Sequence, residues 1–436
     1  MRRMLVVLCV VLWTLPLRPI DVMPMRQRAE VMDAILMDRL ETVVPMLMRR
    51  EGIDMWILVA REYNEDPVVK TMLPATWLNA RRRTILVFHD DGGTVERLAV
   101  ARYDIGEFFP RAWTPEDQPN QWARLAEIIS ERDPERIALN FSEAFALADG
   151  MTLSEYRQLH DALDEPMRER IVGGEGLAIG WLETRTEMEM ELYPQIMAIA
   201  RSIIREGFSG EVIEAGVTTT QDMEWWFRER IRSLRLIAWF QPSVSVQRPE
   251  RTEESFIDLF DGEGDVIQPG DLIHVDFGIT YLRLNTDTQM MAYVLKEGET
   301  EAPQGLRESF ARGNRMQDIL TSNFVVGLTG NEMLRETRAE AIAEGLVPSV
   351  YTHAIGYHGH GAGMTIGMWD QQGGVAGKGE YPLFANTAHS IELSITETIP
   401  EWGGHEVRIM LEEDAFFDGQ TVWYINGRQR ELILIR

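Results

Sequence analysis

Two aspartates eleven positions apart, Asp276 and Asp287, interrupt an apolar, β-prone stretch, and that placement restricts the fold more than any other feature. Residues 272–279 and 287–294 read as the arms of a β-hairpin that turns near Tyr281 and Leu282. Such a hairpin sets the two carboxylates roughly opposite each other on one face. Ionised carboxylates held that close repel unless a cation lies between them. A metal centre is the expectation.

Three further donors follow in the second half of the chain. His360 lies in Gly359-His-Gly-Ala-Gly363, where flanking glycines allow tight turns and close backbone approach. Glu392 sits in a strand pattern whose alternation puts Ser390, Glu392 and Ser394 on one face. Glu412 is an acidic residue inside an apolar run, and a buried carboxylate there needs a partner. Four carboxylates balance two divalent ions, with a neutral imidazole completing the set. Metal coordination can bring the pKa of water down to about 7 and so supply a nucleophile at neutral pH. The oxygen-rich donor set leans toward Mn²⁺, with Co²⁺, Zn²⁺ or Fe²⁺ as alternatives.

The 436 residues suffice for two domains. A formal net charge of −26 argues against nucleic acid as a partner. Met1-Arg2-Arg3 and the apolar run that follows predict a signal peptide or signal anchor over residues 1–22, and hence an exported, periplasmic protein. Any membrane attachment would come through an uncleaved anchor. Cys9 is the only cysteine, so an exported mature form would carry no disulfide. Alternating strand and helix patterns predict a smaller α/β domain over residues 25–175, and Gly173-Gly174-Glu-Gly176 marks a boundary. Beyond it each half of the region 180–436 runs helix, helix, hairpin, a pattern that permits a pseudo-two-fold arrangement. His274 is expected on the strand face opposite Asp276, in a structural role.

The runs Pro269-Gly-Asp-Leu-Ile-His-Val-Asp-Phe-Gly278, Thr286-Asp287-Thr288, Gly359-His-Gly-Ala-Gly363 and Ser390-Ile-Glu392, with the strand around Glu412, resemble the pita-bread metallopeptidases. That family takes in methionine aminopeptidase, Xaa-Pro aminopeptidase, prolidase and the non-peptidase creatinase. The likeness covers about residues 185–420 and is nearest to the aminopeptidase P branch. It implies an α+β chain with a C-terminal pita-bread domain, a pseudo-two-fold antiparallel sheet and a creatinase-like N-terminal domain. It implies two ions held by Asp276, Asp287, His360, Glu392 and Glu412, with Glu392 as the base for the attacking water, a hydroxide bridging the ions. The substrate would be a short peptide cut at an N-terminal amide bond before proline, and a homodimer is a common assembly in that branch.

Two family histidines are missing: their positions hold Gln247 and Gly367. His358 and Gln247 are the expected substitutes in catalysis, with His353 and Arg408 on the substrate wall. The family pattern would put Met410 at the last ligand position, so a two-residue shift to Glu412 is assumed, with Glu413 as the alternative. A creatinase-like hydrolase of a small C–N bond and a non-catalytic binding module are the competing readings.

Overall fold

The computed structural model describes residues 21–249 and 264–436. The leader expected over residues 1–22 lies, up to residue 20, outside the described residues. Among those described, no helix is long and apolar enough to cross a membrane.

The first unit is a five-stranded sheet ordered Val95–Val100, Arg83–Asp90, Met55–Arg61, Ile137–Leu139, Ile171–Gly173. Its central strand is apolar almost throughout because both faces are covered. Met55, Ile57 and Val59 pack with Leu125, Ile128 and Ile129 of the Gln121–Arg132 helix. Trp56, Leu58 and Ala60 face the opposite core, with Leu40 and Leu47 of the Met25–Glu51 helix. Leu177, Ala178 and Trp181 belong to that same core. The chain therefore leaves this unit after the Glu175–Glu183 helix, later than the glycines at 173–176 suggest.

The second unit uses one plan twice. Helices Glu187–Gly207 and Thr220–Ser233 lead into a four-stranded sheet of Ser243–Gln247, Leu272–Phe277, Thr288–Val294 and Ile433–Ile435. Helices Gln304–Ser322 and Gly330–Ala343 lead into the strands of residues 348–424. In each half the second helix opens on a capping box, Thr219 with Asp222 and Thr329 with Glu332. The architecture is mixed α/β with several sheets.

The units meet at a buried ion network. Arg39, from the first helix, donates to Glu189 Oε2 at 2.8 Å, and Arg185 donates to Glu189 Oε1 at 3.1 Å. The Tyr357 ring lies 4.9 Å from both guanidinium carbons. One turn of the 356–363 loop is thereby tied to the joint between units.

Candidate metal centre

The strands Leu272–Phe277 and Thr288–Val294 pair antiparallel, with Phe277 opposite Thr288 and Asp276 opposite Gln289. Asp287 immediately precedes its strand, diagonal to Asp276. The tip is a small ribbon of Thr280–Tyr281 and Leu284–Asn285, turning at Leu282 and Arg283 with φ of 55° and 67°. The turn falls one residue beyond the expected place, on residues that rarely take left-handed backbone. Tertiary contacts explain it: Arg283 donates to the carbonyls of Thr71 at 3.1 Å and Leu73 at 2.7 Å.

Glu392 and Glu412 do not lie inside continuous strands. Each sits at a break where its chain passes from one sheet to the next. Thr387–Ser390 pairs with Asp414–Phe417, and Leu393–Ile399 pairs with His405–Leu411. Between the two ladders, Ile391 and Glu392 face Glu412 and Glu413. Gln289 N donates to Glu412 O at 3.0 Å and Ile391 N to Glu413 O at 3.0 Å, so the hairpin and the crossing strands are stitched together at this point.

The donors converge there. One set of mutually close ligand atoms, within 4.8 Å, comes from Asp276, Asp287 and Glu412; a second from His353, Glu392 and Glu412; a third from Asp287, His353 and His360. Asp276 Oδ1, Asp287 Oδ1 and His353 Nε2 are buried without any hydrogen-bond partner. Burial pushes the carboxyls of Asp276, Asp287 and Glu392 well above their usual range, and the Glu412 charge adds to it. Glu412 itself is pushed up to about 7 by burial, moderated by hydrogen bonds from Ser390 and Gln289. Unpartnered oxygens crowded into a dry site, beside an imidazole whose lone pair is free, fit divalent cations.

A second imidazole joins His360 at the centre. His353, placed by sequence on the substrate wall, has Nε2 at 3.7 Å from Asp287 Oδ2 and 3.6 Å from Glu412 Oε1. Its Nδ1 lies 3.1 Å from Ala354 O, which holds the tautomer with Nε2 unprotonated. Burial pushes its pKa down to about 4, so the ring is neutral. His360 also reaches Asp287, but stands exposed at the mouth, its ring centroid 4.8 Å from that of His353 and 5.4 Å from that of Trp239.

Residues 191–414 match metallopeptidase family M24. The chain belongs to that family. It is a hydrolase of the peptidase class. No curated protein is significantly similar in sequence. Among solved structures, an X-Pro aminopeptidase from Thermotoga maritima MSB8 superposes with TM-score 0.61 at 18% identity, covering 89% of this chain and 99% of its own. An Xaa-Pro dipeptidase from Bacillus anthracis gives 0.57 at 18%, covering 94% and 100%. The dipeptidase PepE from Mycobacterium ulcerans gives 0.59 at 18%, covering 92% and 98%. These three share the fold, which is the pita-bread arrangement.

Within that fold the departures have visible causes. Gln247 lies outside the cavity lining, its amide bonded to both backbone groups of Arg408 at 2.8 and 2.9 Å. His358 does not line the cavity either; its Nδ1 lies 3.0 Å from Tyr357 O and the ring lies toward Arg185. Gly367 has φ of 67°, and a Cβ there would meet Val350 O at 2.3 Å, so the backbone excludes a histidine. Glu413 faces away, accepting from Gln317 at 2.5 Å and Gln429 N at 2.6 Å, which leaves Glu412 as the centre's last carboxylate.

Two residues escaped the sequence reading. His274 lies on the same strand face as Asp276, not the opposite one, and lines the cavity. Its Nε2 is 2.8 Å from Gln289 Oε1, and Gln289 Nε2 donates to Glu392 Oε1 at 2.9 Å. Strand parity alone could have found His274, since residues two apart share a face. Gln289 carried no such signal.

Proposed function

We propose that this metallopeptidase is dinuclear and removes the N-terminal residue of short peptides, with a residue ahead of proline as the preferred bond. The observation that carries the dinuclear reading is that Glu412 belongs to two donor sets at once, with Asp276 and Asp287 on one side and His353 and Glu392 on the other. These residues would hold two divalent cations, which when bound polarise a carbonyl and acidify water. The all-carboxylate side suits Mn²⁺. Glu392 stands on the cavity wall, and burial raises its pKa, which makes its carboxylate a better proton acceptor. Gln289 orients it. Arg408 Nε donates to Ser394 Oγ at 2.9 Å and its backbone is clamped by Gln247, which presents a fixed cation to a peptide carbonyl or carboxylate. Tyr351 and Trp369 supply the apolar wall of a cavity of about 180 Å³. The basic start and apolar run within residues 1–22, read as a leader, support export of the enzyme.

The test is hydrolysis of a panel of Xaa-Pro dipeptides and tripeptides by protein stripped of metal and then reloaded. Cleavage should vanish on chelation and return with the ion, and Asp287→Asn should lose both metal loading and turnover. A fully loaded protein inert toward every peptide would refute the proposal. Hydrolysis of a small non-peptide C–N bond is the second reading, favoured by the backbone's exclusion of a histidine at Gly367. Guanidino compounds in the same panel distinguish it.

A further inference from the structure

The third donor set is the one that neither the resemblance nor the charge count foresaw. Asp287, His353 and His360 offer ligand atoms within 4.8 Å of one another. The resemblance implies a single imidazole; here two rings meet edge to face, with centroids 4.8 Å apart and planes at 82°. His353 Nε2 and Asp287 Oδ1 are both buried and unpartnered. Side-chain exposure is 4% for His353 and 5% for Asp287, while His360 closes the set from the solvent side. Its approach is enforced from outside: the Trp239 ring fills the space against Gly359, where any Cβ would meet it at 2.3 Å, and packs edge-on against His360.

We infer that the cation on the His353 side of the centre is bound by two imidazoles, His353 and His360, with Asp287 joining Glu392 and Glu412 as its carboxylates. This deepens the dinuclear reading and rests on it. The two halves of the centre are then chemically unlike. Asp276, Asp287 and Glu412 offer oxygen only, which suits Mn²⁺ or Mg²⁺. The pair of imidazoles on the other side suits zinc-type ions. The purified enzyme is accordingly expected to hold a mixed pair, with Zn²⁺, Co²⁺ or Fe²⁺ in the outer position.

The experiment uses the full chain, stripped with chelator. One equivalent of Cu²⁺ is added as a probe, and pulsed EPR counts the coordinated imidazoles. Zn²⁺ and Mn²⁺ affinities are measured separately by calorimetry. Wild type should show two imidazoles and His360→Ala one. Zn²⁺ affinity in that variant should fall at least about ten-fold, the low end of what losing even an outer-shell partner costs a metal site, while the tightest Mn²⁺ step stays unchanged. His160→Ala, on the N-terminal unit, serves as the control. A single imidazole in wild type, whether or not His360→Ala removes it, overturns the inference while stoichiometric metal binding leaves the dinuclear reading standing. Failure of wild type to bind stoichiometric Zn²⁺ or Mn²⁺ overturns both.

Discussion

Replacing Glu412 by glutamine separates what the cluster costs the fold from what it does for metal. Burial raises the Glu412 pKa from 4.5 in the unfolded chain to about 7 in the folded protein. The folded state thus holds the proton more tightly, and stability is lost as pH rises through that interval. At about 1.36 kcal/mol per pH unit, the loss amounts to roughly 3 kcal/mol, complete above about pH 7. The total pH profile will not show this cleanly. Four histidines, His274, His353, His358 and His360, are pushed down to about 4 by burial. They add stability above pH 6.5 and lose it as pH falls through 4, which opposes the carboxylates. The difference between wild type and Glu412→Gln removes the histidines from the comparison. In chelator the two proteins should be nearly equal in stability at pH 4.5, where glutamine mimics the protonated acid. By pH 7.5 the variant should be the more stable, by up to roughly 3 kcal/mol. Removing one charge also eases ionisation of Asp276, Asp287 and Glu392, which acts in the same direction. Saturating metal should reverse the order, since an ion at a thousand times its Kd adds about 4.1 kcal/mol to the form that binds it, more than the roughly 3 kcal/mol at stake. Urea unfolding followed by tryptophan fluorescence at several pH values reads all of this. A wild-type-minus-variant difference that stays flat from pH 4.5 to 8 in chelator would refute the reasoning.

Gln289→Leu breaks the chain from His274 to Glu392 without replacing a metal ligand, and kcat should drop about ten-fold or more with KM little changed; steady-state kinetics showing a pure KM effect would remove Gln289 from its orienting role. Arg408→Ala should raise KM roughly ten-fold, about 1.4 kcal/mol, for peptides with a free carboxylate near the cut, and an equal rise for their amidated forms would point to carbonyl recognition instead. Arg283→Ala frees the hairpin tip from Thr71 and Leu73 and should cost about 1–3 kcal/mol, read as a fall in the denaturation midpoint of metal-free protein. Expression of the full chain in a Gram-negative host, with fractionation and N-terminal sequencing, tests export; a cytoplasmic protein retaining Met1 would rule it out.

What the sequence could show, and what it could not, follows from how far each feature's cause extends along the chain. Thr152, Thr186 and Thr219 cap helices that begin at the next residue, because a cap and its acceptor lie within one turn. Asp276, Asp287, Glu392 and Glu412 stood out as oxygens in apolar strands, a pattern readable residue by residue. The strand breaks at Glu392 and Glu412 were not readable, because what breaks them is the pairing of Ser390 with Asp414 on one side and of Leu393 with Leu411 on the other. That is a property of two sheets meeting. The placing of His353 inside the centre and of His360 at its mouth is of the same kind. Both rings belong to one stretch of strand and glycine-rich loop, and no periodicity says which points inward. The direction is decided where Tyr357 is held between Arg39 and Arg185 and where Trp239 closes over Gly359. Those partners lie more than a hundred residues away in sequence. An imidazole flanked by glycines is conspicuous on paper because the loop is free to move it, and for that same reason its place in the folded protein had to come from somewhere else. His353, in an ordinary buried strand, has no such freedom, and its ring is the one aimed at both Asp287 and Glu412.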